Sequence, residues 1–169
     1  MSFTIYSPPA LPANERQRER AVCHSGAMIP HRGDEFHDIL SVACSALRVH
    51  TALVTIIHED CAHVIASSGF ETGVYRRSTS ICAHAILEPS GMLVLPDARL
   101  DDRFAGNPSV ADPNGIRFYA AAALFAPGKL PLGTLCVFDQ APRAALTGKE
   151  ASILRSLAAA VMDGLNGVH

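Results

Sequence analysis

Two apolar runs of strand length flank a short insert between residues 116 and 139. The first reads Ile116-Arg-Phe-Tyr-Ala-Ala-Ala-Ala-Leu-Phe125, and the second reads Leu132-Gly-Thr-Leu-Cys-Val-Phe-Asp139. The insert, Ala126-Pro-Gly-Lys-Leu-Pro131, carries the turn residues, and the runs carry the aromatic and β-branched ones. That division predicts a β-hairpin whose arms lie near the centre of a sheet. Its first arm holds four consecutive alanines, Ala120 to Ala123. Side chains that small leave room above a sheet for a closely packed helix or for a bound ligand.

A chain of 169 residues with 49% hydrophobic and 18% charged side chains fits one globular domain. The expected division is an irregular Pro-rich arm over 1–13 and a single domain over 14–169. A net charge of −2 gives no general pull toward nucleic acid or an anionic membrane. Met1 to Pro9 has neither a basic start nor an apolar core, so it does not read as a signal peptide. No apolar stretch reaches transmembrane length. The five cysteines are odd in number and form no Cys-x-x-Cys pair, which points to reduced thiols and a cytoplasmic protein.

Asn14 is placed to cap a mostly exposed helix over 14–28. A second helix starts at Asp34, with Phe36, Ile39, Leu40, Ala43 and Leu47 on its buried face. Thr51–His58 and Cys61–Ser68 read as a hairpin, followed by a polar loop over 71–77. Ser80 caps a short helix reaching Leu87, and Met92–Leu95 is a short strand. Residues 97–115 form a long segment with a turn starting at Asp101 or Asp102. Thr147 and Glu150 make a capping box for a last amphipathic helix. Hairpin-linked strands with helices gathered at the chain ends give an α+β fold with an antiparallel sheet and terminal helices on one face.

The order of several stretches resembles the GAF domains found with bacterial histidine kinases and diguanylate cyclases. They are Leu11–Glu15, Thr51–Asp60, Ser80–Ile86, Pro96–Phe104, Asn107-Pro108, Ile116–Ala120, Gly133–Asp139 and Pro142-Arg143 before Leu146-Thr147. The resemblance spans about residues 11–165 and implies a six-stranded sheet. It also implies a ligand pocket on the face away from the terminal helices, roofed by the short helix and the long loop. Ligands in that family include cyclic nucleotides, bilins, haem, metabolites and anions, and the sequence does not name a cofactor here. Ala121 and Ala123 stand where this subfamily usually has glycine and proline, and Cys61-Ala62-His63 replaces a usual aromatic. No relative's ligand therefore carries over. No kinase or cyclase segment follows within the sequence, which leaves a stand-alone sensor or a piece of a longer chain.

The resemblance places Ser80, Cys82, His84, Asp97, Phe104, Phe118, Tyr119, Ala121, Thr134 and Cys136 around the pocket. Strand alternation sends Phe118 and Tyr119 to opposite faces, so at most one of them lines it. Cys82 and His84 read as a redox-sensitive or ligand-gripping pair, or as a buried thiol beside a structural hydrogen bond. The charged loop residues Asp97, Arg99, Asp101, Asp102 and Arg103 read as pocket contacts or as loop anchors. His58, Cys61 and His63 hold zinc-type donors without an evident fourth ligand, so no metal is expected. No nucleophile elbow or phosphate loop is present, and no catalytic residue is expected. Free methionine-R-sulfoxide reductases of this type use cysteines in the roof loops, where only Cys82 lies here. A thiol cycle also needs a resolving partner. The reading is a non-catalytic small-molecule sensor that signals through its terminal helices as a homodimer, with a separate signalling protein as output. Its alternatives are a ligand-free dimerisation module or a thiol redox device at Cys82.

Overall fold

The computed structural model describes residues 6–30 and 32–167, and side chains outside residues 32 and 33. Six antiparallel strands form one sheet in the order β3-β2-β1-β6-β5-β4. They are β1 (Thr51–His58), β2 (Cys61–Ser68), β3 (Gly73–Arg76), β4 (Met92–Leu95), β5 (Phe118–Ala126) and β6 (Leu130–Asp139). The 116–139 hairpin lies toward the middle as expected, with β6 between β5 and β1. Gly133 is what lets β6 sit there. A side chain at that position would run into the Thr55 carbonyl and the Ile56 Cα of β1.

Strand β3 occupies residues that read as a polar loop. All four of its residues are exposed, so no apolar alternation announces it. It forms because the β2 edge offers backbone partners, from Cys61 opposite Arg76 to Val64 opposite Gly73.

One face of the sheet is covered by α1 (Glu15–His24), α2 (His37–Leu47) and α5 (Gly148–Asn166). Val22, Phe36, Leu40, Leu47, Leu154 and Val161 pack there against Ala120, Ala122, Leu124 and Val137. The Thr147–Glu150 capping box starts α5 as the sequence indicates. By contrast, Asn14 makes no side-chain cap to α1. Residues 32–36 form a 3-10 turn ahead of α2 rather than its first turn.

The other face carries α3 (Ile81–Ala85), a 3-10 turn at Ala98–Leu100 and α4 (Pro108–Ala111). Ser80 caps α3 through the Ala83 N–H, but the helix ends at Ala85, short of Leu87. The space beneath 81–104 is filled by Ile81, Ala83, Ile86, Leu93, Leu95 and Phe104, packed on Tyr119 and Ala121. The alanine run therefore serves close packing on both faces of β5. Ala120 and Ala122 face the terminal helices, and Ala121 faces the α3 side.

A bulge in β2 shifts the register between Val54–Ala66 and Thr55–Val64. Val64 consequently faces the α3 side while Ala66 faces the terminal helices.

Candidate functional site

Beside the packed region, a cleft of about 1100 Å³ opens over β1, β2 and β6. Its floor is Leu53, Thr55, Val64, Tyr119, Cys136 and Phe138, and Phe70 and Tyr75 stand at its rim. Thr79–Cys82 form one wall, and residues of 108–116 form another. Pockets of roughly 300–1,000 Å³ accommodate small-molecule ligands, so this cleft has the size for one.

Two connections hold the walls in place. Asn107 is fully buried; its Oδ1 accepts from the Ser109 N–H at 2.8 Å and caps α4, while its Nδ2 donates to the Thr79 carbonyl at 2.9 Å. Arg77, buried at the start of the other wall, donates to Glu15 of α1 at 2.6 Å and to the Glu59 carbonyl at 2.9 Å. Arg18, also fully buried, joins the same cluster by donating to Glu15, Glu19 and the Ile57 carbonyl. Burial pushes the Glu15 carboxyl up, but hydrogen bonds and charge from Arg18 and Arg77 outweigh it and hold the carboxyl at about 2. The segment that walls the cleft is thus bonded directly to the first helix.

The inner end of the cleft is polar and holds two thiols. The Cys82 sulfur lies 3.1 Å from the Tyr119 hydroxyl and 3.7 Å from the Cys136 sulfur. Thr55 and Thr134 carry buried hydroxyls with no hydrogen-bond partner among the described residues. The Cys136 thiol, and then the Thr134, Tyr119 and Thr55 hydroxyls, favour a thiolate at Cys82 and lower it to about 6 against the effect of burial. The two threonine hydroxyls, unpartnered beside a neutral thiol, are free to turn toward the sulfur once it ionises. Cys136 is pushed upward, first by its contact with Cys82 and then by burial. Burial also raises the Tyr119 phenol well above its usual range.

The structure divides the ten expected pocket residues. Ser80, Cys82, Tyr119 and Cys136 line the cleft, and Thr134 lies just behind it, beside Cys82. Phe118 does not face it: the ring belongs to the opposite core and stacks under the Arg143 guanidinium. Ala121 and Phe104 are sealed in the packing beneath α3. His84 lies on the outer side, edge-on to Phe104 and 3.1 Å from the Tyr6 hydroxyl. Asp97 anchors its own loop by capping the Arg99 N–H and pairing with the Arg99 side chain. Thr55, Phe70, Tyr75 and Phe138 were not marked by the sequence. Alternation along β1 signals Thr55, whereas the rim aromatics depend on the unforeseen strand β3.

At the β1–β2 turn, His58 bonds Glu19 at 2.6 Å, and no group of three or more His, Cys, Asp or Glu side chains is placed to hold a metal among the described residues.

A family model for the GAF domain matches residues 31–165. The chain belongs to the GAF family. A protein of Pseudomonas aeruginosa named a cyclic di-GMP phosphodiesterase is 36% identical over 154 residues, covering 91% of this chain and 26% of that protein. This GAF domain thus spans about a quarter of that relative's length. The GAF domain of an Acinetobacter phosphoenolpyruvate-protein phosphotransferase superposes with a TM-score of 0.65 at 16% identity, covering 92% of this chain and 95% of that one. A type II free methionine-R-sulfoxide reductase of Thermoplasma acidophilum gives 0.63 at 12% identity, covering 80% and 93%. At such identities the likeness shows the fold, a six-stranded GAF sheet flanked by helices. No helix among the described residues is long and apolar enough to cross a membrane.

Proposed function

We propose that this GAF domain is a non-catalytic cytoplasmic sensor that holds a small molecule in the cleft over β1, β2 and β6 and reports its presence through the terminal helices. The carrying observation is the cleft's inner end, where the buried Thr55 hydroxyl lacks a partner among the described residues. An unpartnered buried hydroxyl costs about 1–3 kcal/mol, and a ligand that bonds it recovers that cost.

The ligand is a molecule with an apolar body and a neutral hydrogen-bonding end. Phe70, Tyr75 and Phe138 suit the body, and Ser80, Cys82, Tyr119, Cys136 and Thr55 suit the end. The lining favours no strongly anionic group. Asp112 and Asp139 stand against Arg76, and the buried Arg117 is spent on the Val110, Asp112 and Pro113 carbonyls. Phosphates of a cyclic nucleotide find no convergent cation there.

The route outward runs from Arg76–Ser80 at the cleft wall, through the Arg77–Glu15 pair, to α1. A ligand that shifts that wall changes the seating of α1 at the back of the sheet. Both α1 and α5 keep an outward face exposed, which suits pairing with a second copy and contact with a separate output protein.

Thermal-shift screening of the reduced chain with neutral metabolites, cyclic nucleotides and simple anions as separate sets tests this. Stabilisation by a neutral compound, lost in the Thr55→Val variant, supports it. No stabilisation by any set overturns the ligand claim and leaves the alternative of a dimerisation module, which equilibrium sedimentation reads independently.

A further inference from the structure

Cys82 and Cys136 stand on opposite sides of the cleft's inner end, one on α3 and the other on the floor strand β6. Their sulfurs are 3.7 Å apart and both residues are buried. A disulfide requires about 2.05 Å, so a small rotation of the two side chains and slight settling of α3 brings them to bonding distance. Both residues line the cleft, and Cys82 keeps a small exposure while Cys136 has none, so a small polar molecule entering from solvent meets Cys82 first. Among the other cysteines, Cys23 is exposed and Cys44 and Cys61 are half-buried, each in an element outside this cluster.

We propose that Cys82 and Cys136 form a reversible intramolecular disulfide when a hydroperoxide enters the cleft, fastening α3 to the sheet. This goes beyond the ligand reading and requires no resident ligand. The Cys82 thiolate attacks the terminal peroxide oxygen. The O–O bond breaks, an S–O bond forms, and the departing alkoxide or hydroxide takes up a proton as alcohol or water. The sulfenic acid left on Cys82 is then attacked by the Cys136 sulfur. The S–S bond forms as the S–O bond breaks, and the hydroxyl leaves with the Cys136 proton as water. Two thiols are oxidised to one disulfide, and one hydroperoxide is reduced.

The polar neighbours fit these roles. The Tyr119 hydroxyl and the two free threonine hydroxyls supply donors to a thiolate at Cys82 and to the oxygen leaving it. Cys82 is the lower of the two thiols, at about 6, and Cys136 keeps its proton for the second step. Fastening α3 draws the Thr79–Cys82 wall toward the floor, so the oxidised cleft is narrower and more rigid.

The test is hydrogen peroxide titration of the reduced chain at pH 7, with N-ethylmaleimide blocking and peptide mapping by mass spectrometry. A linked Cys82–Cys136 peptide that dithiothreitol releases is expected, forming about ten-fold more slowly at pH 5 than at pH 7 as the thiolate is protonated. In C136S, a dimedone adduct at Cys82 is expected; in C82S, Cys136 stays reduced. Absence of the linked peptide while both thiols are recovered unoxidised overturns the proposal, as does oxidation of Cys136 in C82S at the wild-type rate. Wild-type mapping decides even if a variant fails to fold. The ligand screen reads separately, since linkage without any ligand stabilisation removes only the ligand reading, and stabilisation without linkage removes only this one.

Discussion

Thr55 of β1 and Thr134 of β6 are register partners across the middle of the sheet, and each buries a hydroxyl without a hydrogen-bond partner among the described residues. A pair of orphaned donors on adjacent strands is a cost to the empty domain that valine would avoid. At pH 5, where the Cys82 thiol carries its proton and the Thr134 hydroxyl has no anion to bond, Thr134→Val should therefore raise unfolding stability by about 1 kcal/mol, read from urea midpoints at unchanged slope. A loss of more than that amount would mean the hydroxyl is already satisfied.

Arg18 fixes α1 to the sheet from a fully buried position, with bonds to Glu15, Glu19 and the Ile57 carbonyl. Removing it empties a fully buried position and leaves the Glu15 and Glu19 carboxylates with Arg77 and His58 as their remaining partners. Arg18→Ala should cost about 3–5 kcal/mol in denaturant unfolding. A cost below about 1 kcal/mol would show that α1 is only loosely attached.

The same cluster sets an acid limit. Glu15 ionises near 2 in the folded chain, against an ordinary value of 4.5. Its depressed value means that the fold favours the charged form. The stabilisation is complete above about pH 4.5 and is lost as pH falls toward 2. Thermal melts of wild type and Glu15→Gln should differ at pH 6 and converge by pH 2. A constant difference across that range would contradict the assignment.

Asn107 caps α4 and holds it to the Thr79 carbonyl, joining the two walls of the cleft. Asn107→Ala removes the cap and takes the donor from the half-buried Thr79 carbonyl, so a loss of about 2 kcal/mol is expected. Hydrogen exchange should rise at 79–82 and 108–111 together. A rise confined to 108–111 would show that the walls are not coupled.

Much of the fold was legible because its signals are local. The 116–139 hairpin, the α5 capping box and the Ser80 cap each depend on a few neighbouring residues, and each formed. Strand β3 was illegible because its four residues are exposed and owe their conformation to the β2 edge. The site was read less well for a related reason. Alternation tells which face a strand residue takes: it sets Phe118 and Tyr119 on opposite faces, and in the structure Tyr119 lies on the cleft side and Phe118 in the opposite core. It does not tell where along that face a helix will cover the sheet. Ala121 and Phe104 fell under α3, and the open space lies over Thr55 and Val64. Phe118 was included although alternation opposed it to Tyr119. The approach of Cys82 to Cys136, 54 residues apart in sequence, had no local signal at all.

We propose that the cleft over β1, β2 and β6 is the working part of the domain. The most direct test is an amide NMR titration of the reduced chain with the neutral compound that stabilises it best. Saturable shifts are expected at Thr55, Ser80, Tyr119 and Phe138, followed by smaller ones at Glu15 and along α1. Shifts confined to the outer faces of α1 and α5, with the cleft residues unmoved at saturation, would contradict it.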